Sequence, residues 1–214
     1  MPPTYTLYTP EASFRAFATL IAAEYNAIAV DVVTDVTAED AKSPVGKLPV
    51  LETPSGEKIF SCYAAARFIA GLRRDTGLTG NSPVEEASVD AWMDFAAQEL
   101  ELPACAWFYP VAGYMPFNKT SYEKAKMDLA KALQVLNEHL NCKTYLVGNQ
   151  ITLADIVVAS TLLYPFKLVA DPSYLKPFGS VLKWFTNCVS QEEFQQIVGQ
   201  VTMCQKEIMA PGQL

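Results

Sequence analysis

Strand-type patterning in this 214-residue chain stops near residue 80 and does not return. Earlier, short alternating or β-branched runs interleave with helical periodicity; later, every periodic segment is helical. Such a chain must build its sheet from its first third alone, so it folds as a small α/β unit beside a helical one. Thr4 to Thr9 alternates as a strand, and Pro10-Glu11 opens a helix over Ala12 to Glu24, with Phe14, Phe17, Ala18 and Ile21 on one face. Ile28 to Val33 reads as a second strand. Val50–Glu52 and Lys58–Phe60 flank the turn Thr53-Pro54-Ser55-Gly56 and form a hairpin, after which a helix runs from about Ser61 to Thr76. The order β-α-β-(short segment)-β-β-α, with Pro49 at the start of the third strand, is that of a thioredoxin-like domain over residues 1–76.

The turn formers Gly77, Gly80, Asn81, Ser82 and Pro83 mark a linker over 77–83. An all-helical bundle follows over 84–210, with helices expected at Val84–Leu102, Ser121–Leu140, Thr152–Val169, Leu175–Val189 and Gln191–Val198. Residues 211–214 read as the start of a linker or tail. No internal repeat or low-complexity stretch interrupts this plan.

Half the residues are apolar and 18% are charged, which is core-forming material and too little charge for a disordered chain. Sixteen Lys and Arg against 23 Asp and Glu give a net charge of −7, which argues against direct, phosphate-dominated nucleic-acid binding. A single histidine, His139, excludes multi-histidine metal sites and most imidazole-based hydrolysis, and no metal is expected. His139 reads as a surface group near a helix C-terminus. Five scattered cysteines without a C-x-x-C pair fit reduced thiols. With no leader-like start and no apolar run long enough to span a bilayer, the expectation is a cytoplasmic protein without a membrane span.

Two short motifs carry most of the remaining information. In Gly46-Lys47-Leu48-Pro49-Val50, an X-Pro bond precedes a strand, where a cis peptide would turn the backbone N–H and C=O of Leu48 toward an extended peptide-like ligand. The tripeptide alone is equally compatible with an ordinary trans turn proline. Thr152-Leu153-Ala154-Asp155 places a capping hydroxyl and a carboxylate three residues apart ahead of an apolar run, so Asp155 reads as a buried cap and not as a catalytic acid.

Together with Leu7-Tyr8-Thr9-Pro10-Glu11, Arg15-Ala16-Phe17, Trp107-Phe108-Tyr109-Pro110, Asn118-Lys119, Tyr145-Leu146-Val147-Gly148 and Thr161-Leu162-Leu163, these motifs resemble the glutathione-transferase superfamily. Within it, they resemble the gamma-subunit family of eukaryotic translation elongation factor 1, from Leu7 to about Lys206. The resemblance implies the glutathione-transferase fold. It also implies a scaffold role in the complex that reloads the elongation factor with GTP, holding the N-terminal domain of the guanine-nucleotide-exchange subunit while the exchange chemistry lies in that subunit. Family members continue through a charged linker into a second domain, so the chain looks like an N-terminal fragment or a shortened form. A homodimer through the superfamily's usual face stays open.

The alternative implied by the superfamily is a thiol transferase that conjugates glutathione, or a related thiol, to electrophiles. No cofactor is required for the scaffold role. Thiol activation needs a hydroxyl near the end of the first strand; among Tyr8, Thr9 and Ser13, Thr9 is the catalytic candidate. Leu48, Pro49, Ser61 and Cys62 are the glutathione-binding candidates, although the family's Glu-Ser pair is here Ser61-Cys62. A thiol at a helix N-terminus should have a lowered pKa. Trp92, Phe95, Trp107, Phe108 and Tyr109 read chiefly as core aromatics, with an electrophile pocket as the other reading, and Glu99-Leu100-Glu101 as a solvated face.

Overall fold

The computed structural model describes residues 4–212, so the expected tail at 211–214 falls partly outside the described residues. The sheet domain contains β1 (Tyr5–Tyr8), α1 (Phe14–Tyr25), β2 (Val30–Val33), β3 (Val50–Glu52), β4 (Lys58–Phe60) and α2 (Cys62–Gly71). Strand order is β2-β1-β3-β4: β1 runs parallel to β2, with Tyr5 opposite Val30, and antiparallel to β3, with Leu7 opposite Leu51. Residues 34–46 form turns where a crossover helix could stand. The Leu48-Pro49 bond is cis, one of the two forms that the tripeptide left open.

Period-two and period-3.6 patterns converge on one core. Leu7 and Leu51, paired across β1 and β3, are fully buried together with Ala65, Ala66 and Ile69 of α2 and Ile21 of α1. Asn26 closes α1 and donates from Nδ2 to the carbonyls of Ile69 (2.7 Å) and Ala70 (3.2 Å), tying the ends of α1 and α2. The helix after β4 is shorter than expected: it ends at Gly71, and Arg74–Thr76 forms a separate 3-10 turn.

The helical part comprises α3 (Pro83–Phe95), α4 (Glu101–Ala112), α5 (Lys119–His139), α6 (Leu153–Leu168), α7 (Pro172–Leu175), α8 (Gly179–Val189) and α9 (Glu192–Val198). Two expected boundaries differ. Helix continues past Leu102 to Ala112, through a π-helical turn at Ala96–Leu100. Pro103 lies just past that π-helical turn, and Gly113 ends the helix with a positive φ of 80°. The helix expected over Leu175–Val189 starts only at Gly179, as α8; Leu175 instead ends the short α7, and Pro177 between them cannot donate into a continuing ladder.

Helix α6 is the axis of the molecule. Thirteen of its residues are buried, and it packs against α1, α2, α3, α4 and α8. The N-terminus of α6 carries the capping box anticipated from Thr152 and Asp155. The fully buried Asp155 carboxylate accepts hydrogen bonds from the backbone N–H of Thr152 (2.9 Å) and Leu146 (2.8 Å), the Thr152 hydroxyl (3.0 Å) and the Trp184 indole N–H (2.8 Å). Burial pushes this carboxyl's pKa up, and the same donors pull it back. One residue further on, Leu153 N–H donates to the carbonyl of Leu78 at 2.8 Å, so the cap also fixes the connection between the two halves. Gly77, Leu78, Thr79 and Gly80 are buried. At Gly80, with φ +93°, a Cβ would lie 2.8 Å from the backbone of Glu85 and Glu86, which requires glycine.

Replacing Asp155 with alanine strands three buried N–H donors, each costing on the order of 1–3 kcal/mol before relaxation. Chemical denaturation of Asp155→Ala is therefore expected to show a loss of about 3–5 kcal/mol, and a loss below about 1 kcal/mol would mean that the surroundings re-satisfy those donors.

Candidate functional site

The largest candidate opening near the sequence-derived residues is a cleft of about 780 Å³ between the sheet domain and α4. Leu48 and Pro49 line it from the start of β3, and Ser61 and Cys62 from the start of α2. Ser61 occupies the N-cap position with φ +76° and makes no side-chain cap bond. Lys47, Val45 and Phe60 form an exposed rim, with Val45 and Phe60 about half exposed at 54% and 45%.

Thr9 is placed elsewhere. It is 3% exposed, it does not line the cleft, and its hydroxyl donates to the adjacent Pro10 carbonyl at 3.2 Å. The other two hydroxyl candidates are also outside the cleft lining: Tyr8 donates to Glu52 Oε2 at 2.8 Å, and Ser13 lines an adjoining pocket. That pocket, of about 300 Å³, is walled by Phe14, Phe108, Tyr109, Tyr114 and Tyr164. Trp107 and Phe108 are buried core, as read from their spacing, whereas Tyr109 faces both openings. His139 ends α5 with Nε2 2.8 Å from the Leu146 carbonyl and its ring 4.4 Å from that of Trp92, far in sequence from the cleft residues.

A charged cluster that sequence reasoning missed forms the cleft floor. Arg15 on α1 donates from Nε and Nη2 to Glu101 Oε1 at 2.8 and 2.5 Å, and from Nη1 to the Tyr109 hydroxyl at 3.1 Å. Tyr63 on α2 donates its hydroxyl to Glu101 Oε2 at 2.7 Å. Glu101 was expected on a solvated face with Glu99, but its side chain is only 17% exposed because the π-helical turn is followed directly by the turn of α4 that meets α1. The available signal was a lone arginine inside the apolar run from Phe14 to Ala23: a cation there requires a partner.

These groups set the protonation chemistry. Burial and the nearby Glu101 charge push the Cys62 thiol up to about 11, outweighing Arg15 and the backbone N–H groups of the first turn of α2. The expected lowering of this thiol is thus reversed, because desolvation of a thiolate exceeds what a helix N-terminus returns. Tyr109 is raised to about 12 by burial, and Tyr63 is raised by burial and by Glu101. At neutral pH the cleft therefore offers hydrogen-bond donors, a neutral thiol and one internally compensated ion pair, with the exposed Lys47 side chain at its rim. Among the described residues no group of His, Cys, Asp and Glu is arranged to hold a metal ion, and no helix is long and apolar enough to cross a membrane.

With its pKa near 11, Cys62 has roughly a thousandth of its population as thiolate at pH 8. Iodoacetamide labelling followed by mass spectrometry is expected to modify the exposed Cys142 well before Cys62, with the Cys62 rate still rising above pH 10. Faster labelling of Cys62 at neutral pH would establish an activated thiol instead.

Comparison with known proteins agrees with this architecture. Residues 93–192 match the family model described as glutathione S-transferase, C-terminal domain. Over 212 residues the chain is 38% identical to elongation factor 1-gamma-A of Xenopus laevis, covering 94% of this chain and 48% of that protein. Elongation factor 1-gamma of Artemia salina is 38% identical over 208 residues, covering 94% and 47%. The chain thus spans about half the length of these relatives. The crystal structure of the GST-like domain of elongation factor 1-gamma from Saccharomyces cerevisiae superposes with a TM-score of 0.82 at 22% identity, covering 97% of this chain and 98% of that one. The chain has the glutathione-transferase fold, and over 94% of its length it is similar to elongation factor 1-gamma.

Proposed function

We propose that this chain is a transferase-like scaffold domain of a cytoplasmic translation elongation factor 1 complex, and that it anchors the N-terminal domain of the guanine-nucleotide-exchange subunit without catalysing exchange itself. The observation carrying this reading is the 38% identity to elongation factor 1-gamma sustained over 94% of the chain. The site chemistry supports it: the strongest charges at the cleft floor, Arg15 and Glu101, are spent on each other, and the candidate thiol is held neutral. Calorimetric titration with the isolated N-terminal domain of the exchange subunit is the test. A 1:1 complex burying a standard-sized interface, roughly 800 Å² per partner, is expected. No heat and no co-elution at micromolar concentrations would overturn the scaffold reading.

A second reading, binding of glutathione or a related peptide thiol, is favoured by one observation: Leu48, Pro49, Ser61 and Cys62 line the same cleft. A tripeptide would fit in about 780 Å³ with its carboxylate toward the N–H groups at the start of α2. Since no hydroxyl from Tyr8, Thr9 or Ser13 lines that cleft, binding is expected without efficient conjugation. Saturable glutathione binding with conjugation of an aryl halide at background rates is the expected pair of results. Rapid turnover would establish an enzyme, and the absence of binding would remove the thiol reading.

A further inference from the structure

Beneath the cleft floor lies a small cavity, with about 10 Å³ open to the centre of a water-sized sphere. Arg15 of α1, Cys62 and Tyr63 of α2, Glu101 of α4, and Ser160 and Thr161 of α6 contribute to its wall, so it sits at the junction of the sheet domain and the helical bundle. The volume suits one water and nothing larger. Ser160 is 4% exposed, and its hydroxyl has no hydrogen-bond partner among the described residues.

A serine hydroxyl in a helix can turn back to the carbonyl four residues earlier, as the neighbouring Thr161 does to Val157 at 2.9 Å. Ser160 does not, and a buried hydroxyl left unpaired is costly. Around the cavity stand the Glu101 carboxylate, with acceptor capacity beyond its bonds to Arg15 and Tyr63, the Tyr63 oxygen, and the Thr161 hydroxyl beside it. Phe14, Ala18 and Val157 complete the wall with apolar surface, so the polar groups converge on one part of the cavity. An orphaned hydroxyl, acceptors within the same small space and room for one solvent molecule are the conditions under which buried water is retained.

We infer that the cavity is a binding site for a single ordered water that joins Ser160 of the helical bundle to Glu101 and Tyr63 at the cleft floor. The Ser160 hydroxyl donates to the water oxygen, and the water donates one hydrogen to the Glu101 carboxylate. The second hydrogen is left for an oxygen of Tyr63 or Thr161. No proton is transferred. Through this molecule α6 supports the carboxylate that orients Arg15, a connection the protein side chains do not make directly. This inference does not depend on which partner or ligand the cleft serves.

A crystal structure of the whole chain, at a resolution that shows ordered solvent, is the test. One peak within hydrogen-bond distance of both Ser160 Oγ and the Glu101 carboxylate is expected. An empty cavity, or a Ser160 hydroxyl bonded to the Ile156 carbonyl, would overturn the inference. In solution, water magnetic relaxation dispersion should show one fewer long-lived internal water in Ser160→Val, whose added methyl occupies the space, than in the parent protein. An unchanged number would count against the site. If Ser160→Val does not fold, the map of the parent protein still decides.

Discussion

Four donors from three stretches of chain converge on the Asp155 carboxylate, and the position of everything around α6 follows from that convergence. The loop before α6 is fixed through Leu146, the helix start through Thr152, and α8 through the Trp184 indole. A carboxylate buried without those donors would be prohibitively costly, so the loop, the cap and α8 must assemble together. With α6 seated, its N-terminal backbone reaches Leu78 and draws the connection between the two halves into the interior. The first part of the segment that reads as a linker by composition, Gly77 to Gly80, is thereby a buried, hydrogen-bonded part of the fold, while Asn81, Ser82 and Pro83 stay exposed.

The cleft inherits its chemistry from this seating. Helix α1 packs on both α2 and α6, which brings Arg15 within reach of Glu101 on α4 and sets Tyr63 against the same carboxylate. The resulting floor is polar but compensated, since one cation meets one anion in a partly buried setting where either alone would be expensive. Such a floor ties α1 and α2 of the sheet domain to α4 of the helical part. It also leaves the rim, with exposed Val45, Phe60 and Lys47, as the part of the cleft free to meet another molecule.

The elements legible in the sequence were those whose information is local. Strand alternation around Leu7, the hairpin about Thr53 to Gly56, the helical spacing of Phe14, Phe17 and Ile21, and the capping box at Thr152 each declare themselves within a few residues. What could not be read depends on distant packing. Whether Glu101 faces water or a guanidinium is decided by a π-helical turn that no propensity announces, and the helix runs on past Pro103, where the sequence pattern ends it at Leu102. Cys62 shows the same limit from the other side. Its helix-terminal position was correctly placed, but the sign of its pKa shift depends on how deeply tertiary packing buries the thiol and, after that, on the charge of Glu101, nearly forty residues away in sequence.

The dependence of α1 on α6 has a consequence for how the chain is made. Helix α1 leaves the ribosome early, yet one of its apolar faces, including Phe17 against Tyr164 at a ring distance of 6.1 Å, is completed only by α6, whose first residue is Leu153. At typical synthesis rates this leaves the face uncovered for on the order of ten seconds. During that interval the apolar face of α1 that α6 will cover stays open to solvent, so the sheet domain reaches its final packing only after the helical half has been made.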